Sequence, residues 1–137
     1  MVFEESRSTW IEIDLDAVAR NTRRVKQLMG DGVKLLAVVK GNAYGLGMVP
    51  VAHTVLSHGA DLLGVTHPEE GVILRNEGID APIFIFRPLL PGEEDLVINY
   101  QLISSVSSLQ QAERLSERAR IYGVKVPVHL KVETGLG

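Results

Sequence analysis

The stretch Leu35-Leu36-Ala37-Val38-Val39-Lys40-Gly41-Asn42-Ala43-Tyr44-Gly45-Leu46-Gly47 places one amine at the end of an apolar run, directly before a loop with three glycines. A lysine amine attacks a carbonyl carbon only in its neutral form, and an apolar surround disfavours the ammonium. Val38 and Val39 are predicted to supply that surround and keep the Lys40 amine dry. Asn42 and Tyr44 add polar tips to the same loop, while the glycines permit positive φ or close backbone approach to a bound group. The loop matches no nucleotide signature: no Lys-Ser or Lys-Thr follows as in a P-loop, and the glycine spacing is not G-x-G-x-x-G. Taken without more context, the same lysine reads as a side chain that snorkels to solvent at a strand end.

The other ionisable candidates carry weaker signals. His53 and His58 fall on a predicted helix and are expected to be solvated or partly buried there. His67 ends a predicted strand beside Pro68, where it either faces the same cleft as Lys40 or leads into the next helix. His129 lies in an apolar run and is expected as a satisfied core histidine. Glu69 and Glu70 open a helix, where carboxylates interact favourably with the N-terminal dipole.

Lys40 must be positioned by the elements around it, and these read as alternating strands and helices. Strands are predicted over 34–40, 62–67, 82–87, 102–106 and 126–133, with helices over 16–29, 49–58, 69–77 and 93–99 between and before them. A further helix begins at Ser108, with Gln111 completing a capping box. It presents Leu109, Ala112, Leu115, Ala119 and Tyr122 on one face and stops at Gly123. Runs such as Ile83-Phe84-Ile85-Phe86 are apolar on both faces, as in a parallel sheet of barrel or doubly wound type. In such folds catalytic groups gather at the C-terminal ends of the strands, where Lys40 falls. Thr9-Trp10-Ile11-Glu12-Ile13-Asp14 alternates instead, and is predicted to be a strand of a different sheet with one wet face. Five strand–helix units are too few to close an eight-stranded barrel of about 250 residues, and a final strand left open makes a poor edge. A missing second half is the expectation.

Bulk properties narrow the function. The 137 residues are 45% hydrophobic and 23% charged, ordinary for a globular domain, and the net charge of -3 with interspersed signs offers no stripe for nucleic acid. The chain lacks cysteine, which excludes thiolate metal sites and cysteine nucleophiles. Its first ten residues lack an apolar signal core, and no run approaches the roughly 18 apolar residues of a membrane span. A cytoplasmic protein without membrane or nucleic-acid partners is expected.

Val39 to Gly47 resembles the pyridoxal-phosphate attachment motif of alanine racemases, V-K-A-N-A-Y-G-H-G. Three further segments resemble the same family in order. Trp10 to Asp16 with Asn21 is similar to its opening W-x-E-I-D-L-x-A, Glu69-Glu70-Gly71 with Leu74-Arg75 to E-E-G-x-x-L-R, and Lys131 to Gly137 to K-x-D-T-G-M-G-R. The resemblance implies that Lys40 carries pyridoxal 5'-phosphate (PLP) covalently and exchanges a proton with the substrate Cα. It implies that Tyr44 contacts the cofactor phosphate. Lys131 then matches a lysine that is carbamylated in many members and holds an arginine near the cofactor ring. The implied activity is interconversion of L- and D-alanine for peptidoglycan supply, by an enzyme that is a homodimer when complete.

Gly41 and Leu46 depart from the alanine and histidine usual in the motif, and Glu133 and Leu136 replace aspartate and methionine. None of these removes a group the chemistry needs. The motif arginine is expected one position beyond Gly137. The family's remaining barrel, which supplies a histidine and an arginine at the pyridine ring, and its C-terminal β domain, which supplies the opposite-face tyrosine, are likewise expected outside this chain. The predicted architecture is therefore α/β. Residues 16–137 form the first part of a PLP-binding (β/α)8 TIM barrel, about its first five strands, and residues 1–15 form a strand that pairs with the absent β domain. The chain is expected to be inactive alone and to need a complementary C-terminal chain as partner. Two other readings stand beside this one: a related PLP enzyme of the same fold type, such as a broad-specificity racemase or an amino-acid decarboxylase, and a non-catalytic fragment acting by association.

Overall fold

The computed structural model describes residues 9–135, which form one parallel sheet and the helices that connect its strands. The order along the chain is α1 (Leu15–Met29), β1 (Leu36–Val38), α2 (Lys40–Tyr44), α3 (Met48–Ser57), β2 (Leu62–Val65) and α4 (Pro68–Asn76). Then come β3 (Ile83–Pro88), α5 (Glu94–Asn99), β4 (Ile103–Val106), α6 (Leu109–Tyr122) and β5 (Val128–Leu130). The strands lie side by side in chain order, each parallel to the next. Winding that never reverses is the barrel pattern, whereas a doubly wound sheet switches direction at one point. The apolar runs alone left those two arrangements open and the family resemblance implied the barrel, whose strand order this sheet has.

Alternation along each strand separates two faces. Leu63, Val65, Ile83, Ile85 and Leu102 form one buried layer with Val51, Ala52 and Val55 of α3, Leu74 of α4, Val97 of α5 and Leu115 of α6. The opposite face holds Phe84 and Phe86, whose rings meet edge to face at 5.1 Å, and His129, whose ring lies 4.5 Å from that of Phe84. This face has no covering layer among the described residues, and His129 is exposed there rather than buried as expected. The edge-strand imidazole is covered on one side only.

Helix boundaries follow local chemistry. Asp14 caps α1 by accepting the Ala17 N–H at 2.9 Å, and Lys26 ties the helix to the sheet through Asp61 at 2.5 Å. Ser108 accepts the Gln111 N–H at 3.3 Å and Gly123 closes α6 with φ 68°, as predicted. The buried stripe of α6 differs from the predicted one: Gln111, Leu115 and Ala119 face inward, while Leu109 and Tyr122 are exposed. Gln111 is drawn in because its side chain accepts from the Ser107 N–H and donates to the Ser105 carbonyl.

The predicted strand at residues 9–14 is not formed. Its members from Thr9 onward pair with no strand, and Trp10 and Ile11 are 78% and 82% exposed. A strand exists only through its ladder partner, and none lies beside it among the described residues. The rest of the predicted 1–15 segment, residues 1–8, lies outside the described residues. The other predicted strands keep their centres; β3 keeps its length with a shift of one residue, and the rest are shorter, β1 by four residues and β5 by five. Among the described residues no helix is long and apolar enough to cross a membrane.

Candidate active site

Because the sheet is parallel, the segments after β1, β2 and β3 emerge along one rim. The backbone after Val39 turns sharply: Gly41, Asn42, Ala43 and Tyr44 all take left-handed helical angles, with φ of 61°, 56°, 52° and 56°. A left-handed turn costs about 1–2 kcal/mol for each residue bearing a Cβ, so three non-glycine residues here require compensation. Several contacts supply it. Ala43 is buried and donates its N–H to the Val39 carbonyl at 2.8 Å, and the Asn42 side-chain oxygen accepts from the Met48 N–H at 2.8 Å. The Asn42 carbonyl accepts from both Gly45 and Gly47 N–H groups.

A further tether crosses to the neighbouring unit. One Glu70 carboxylate oxygen accepts the Gly41 N–H at 2.6 Å, and the other accepts the N–H groups of Thr66 at 2.9 Å and His67 at 3.0 Å. Burial alone would raise the Glu70 pKa, but the three N–H donors, helped by nearby His67, outweigh it and hold the carboxyl below the ordinary value. Glu70 thus remains a carboxylate at neutral pH.

Lys40, Gly41, Tyr44, Thr66, His67 and Glu70 line a shallow depression of about 350 Å³. The structure brings Lys40 and Tyr44 together, as predicted, and adds His67 from the next strand end. The Lys40 amine makes no hydrogen bond or ion pair among the described residues, and Tyr44 is 68% exposed. Lys40 was expected to be dry; it is exposed, because Val39 turns into the helical layer and Val38 opens onto the uncovered face. Lys131 does not join this depression. It follows β5 on the same rim but four strand positions away, exposed, with its N–H donating to the Val106 carbonyl at 2.8 Å.

His53 is exposed on α3, and half-buried His58 places Nδ1 2.7 Å from the Thr54 carbonyl, as helix residues without a chemical role would. No group of three or more His, Asp or Glu among the described residues is placed to hold a metal ion. Arg87, near the end of β3, meets both oxygens of Glu93 at 2.9 and 2.5 Å. Neither this pair nor the long reach of Glu70 is visible in the sequence. A glutamate three residues after a helix cap does signal the reciprocal bond to His67, but nothing local announces Gly41.

The E-E-G-x-x-L-R segment has a physical reading. Leu74 is fully buried, and a Cβ on Gly71 would come within 2.9 Å of the Leu102 side chain. The Arg75 guanidinium donates to the carbonyls of Ile79, Ala81, Tyr100 and Gln101, joining the turns that lead into β3 and β4.

A single-wound parallel sheet with an unpaired amine on its C-terminal rim is an α/β fold of barrel type. The family described as "Alanine racemase, N-terminal domain" matches residues 13–137, and the chain belongs to it. It is 42% identical to an alanine racemase of Halothermothrix orenii over 96% of this chain and 35% of the relative. Its fold matches the crystal structure of alanine racemase from E. faecalis with a TM-score of 0.92 at 33% identity, over all of this chain and 37% of that one. A Bacillus anthracis alanine racemase solved with bound L-Ala-P matches with a TM-score of 0.77 at 34% identity, over 91% of this chain and 32% of that one. The chain thus spans about a third of the length of these relatives, and its five strands and intervening helices match the N-terminal barrel portion of the fold.

Proposed function

We propose that this chain is the N-terminal portion of a PLP-dependent alanine racemase, acting in D-alanine supply together with a complementary C-terminal portion. The observation that carries the proposal is the unpaired Lys40 amine on the strand rim, beside Tyr44, in a chain whose residues 13–137 match the family. The residues present fit the cofactor: a primary amine free to bond an aldehyde carbon, a phenol free to donate to a phosphate, and a glycine-bearing turn that lets both approach. When bound, PLP supplies a conjugated ring that takes up the electron pair released at the substrate Cα.

Lys40 would hold the cofactor through its Nζ, and the same Nζ would accept or return the Cα proton on one face. Tyr44 would orient the phosphate through its hydroxyl. Lys131 is assigned a supporting position at the β5 end of the rim. Inversion requires a second base on the opposite face, and this reading assigns it to the complementary portion. That portion also covers the open sheet face and pairs with the segment at residues 9–14.

Rates of L- to D-alanine conversion test the reading, measured for the purified chain, for the chain with the complementary portion supplied as a second polypeptide, and for that pair carrying Lys40→Ala. Conversion is expected only from the unsubstituted pair, faster with alanine than with serine, lysine or arginine. Appreciable racemisation by the isolated chain, or undiminished turnover without Lys40, would refute it.

A further inference from the structure

The left-handed turn that presents Lys40 and Tyr44 is costly for a chain of L-residues, and strained backbone persists only where its surroundings over-determine it. Its internal hydrogen bonds join residues of one segment, from Val39 to Met48. The bond from the Gly41 N–H to Glu70 is different in kind, because it runs 29 residues along the chain and joins the turn to the start of α4. The same carboxylate grips Thr66 and His67, so one side chain holds the ends of β1 and β2 in a fixed relation. Charge-assisted bonds to N–H donors are stronger than neutral ones, and Glu70 makes three of them in a half-buried position.

We propose that Glu70 is a positioning residue for the reaction: by holding Gly41 against the β2–α4 junction it fixes the backbone that aims Lys40 and Tyr44 at the cofactor. This rests on the cofactor reading above. Glu70 touches neither reacting group; it acts through the peptide that follows Lys40. Its two roles differ in reach. The bonds to Thr66 and His67 are local capping, which a shorter carboxylate can retain, whereas the bond to Gly41 needs the full length of the glutamate side chain.

Glu70→Asp separates these roles. Amide hydrogen exchange is followed at Gly41, Thr66 and His67 in the 137-residue chain, with thermal unfolding as the control for folding. In parallel, PLP is titrated against the chain, bound cofactor is read by its visible absorbance, and borohydride then fixes it for peptide mapping. The expected result is exchange roughly tenfold or more faster at Gly41, with Thr66 and His67 changed by no more than about threefold. Cofactor fixed on Lys40 at limiting PLP falls in the same variant by about tenfold. Unchanged Gly41 exchange overturns the clamp, and faster Gly41 exchange with undiminished Lys40 labelling overturns its positioning role. Should Glu70→Asp fail to fold, Glu70→Gln replaces it and is judged by the same two results, since its single acceptor oxygen must release Gly41 to keep the two capping donors. An unsubstituted chain that labels elsewhere than Lys40 refutes the cofactor reading, while Gly41 exchange still judges the clamp.

Discussion

The β1–β2 and β5 edges of this sheet are built from similarly apolar residues and end in opposite conditions. At β1 and β2, Val39, Leu63 and Val65 are buried under α3 and α4, and the loops beyond them are tied by Asn42 and Glu70. At β5, Val128, Leu130 and Val132 are exposed, and a groove of about 660 Å³ lies open between α6 and the strand, lined by Leu115, Ala119, Val126 and Val128. The larger hollow lies along the β5 edge, and the smaller one lies beside Lys40, the proposed cofactor lysine. Composition alone does not bury a strand; the helix that follows it does.

The largest expected effect lies in the covered half. Leu63→Ala removes a fully buried side chain between sheet and helices and is expected to destabilise the chain by about 2–5 kcal/mol in denaturant unfolding. Arg75→Ala deprives four carbonyls of their donor and is expected to cost about 2–3 kcal/mol, with Arg75→Lys failing to restore it because an ammonium lacks the planar fork.

Acid is expected to weaken the same half. For Glu70, Glu93 and Glu94, burial pulls the pKa upward, but hydrogen bonds from N–H groups and from Arg87 and Arg114 outweigh it and leave all three below the ordinary value of 4.5. The unfolded chain therefore takes up these protons first as pH falls. The stabilisation is fully present above about pH 4.5 and is lost as pH drops through the depressed values. Thermal midpoints should be insensitive to these carboxylates near neutrality and fall below pH 4.5, and a midpoint that rises on acidification would contradict the assignment. The smallest effect is expected at the open edge, where Leu130→Ala should change stability of the isolated chain by no more than about 0.5 kcal/mol. Equal losses from Leu63→Ala and Leu130→Ala would erase the contrast between the two halves.

The parallel class and strand centres were legible because buried apolar runs such as Ile83-Phe84-Ile85-Phe86 have few other uses. Strand order was not, since periodicity says which residues are buried and not which strands are neighbours. The alternation at Thr9 to Asp14 suggested a strand, but pairing depends on a partner that local pattern cannot supply. At the site, Lys40 stood out as a charge closing an apolar run, and both it and Tyr44 took their roles from the family resemblance. The left-handed backbone between them did not stand out, because Ala43 and Tyr44 are poor candidates for positive φ and the turn is held by bonds within residues 39–48 together with the long-range bond from Gly41 to Glu70. Glu70 was read as a helix-end charge because its partner at Gly41 is close in space alone. Lys131 was grouped with the site by resemblance, and it stands four strand positions from Lys40 on the same rim.

The central claim is that Lys40 is the amine that bears the cofactor. Borohydride reduction of the chain with its complementary portion in the presence of PLP, followed by peptide mass mapping, tests it most directly. The account predicts a pyridoxyl group on Lys40 and its loss in Lys40→Ala. A pyridoxyl group confined to another lysine, or none on a pair that still racemises alanine, would contradict it.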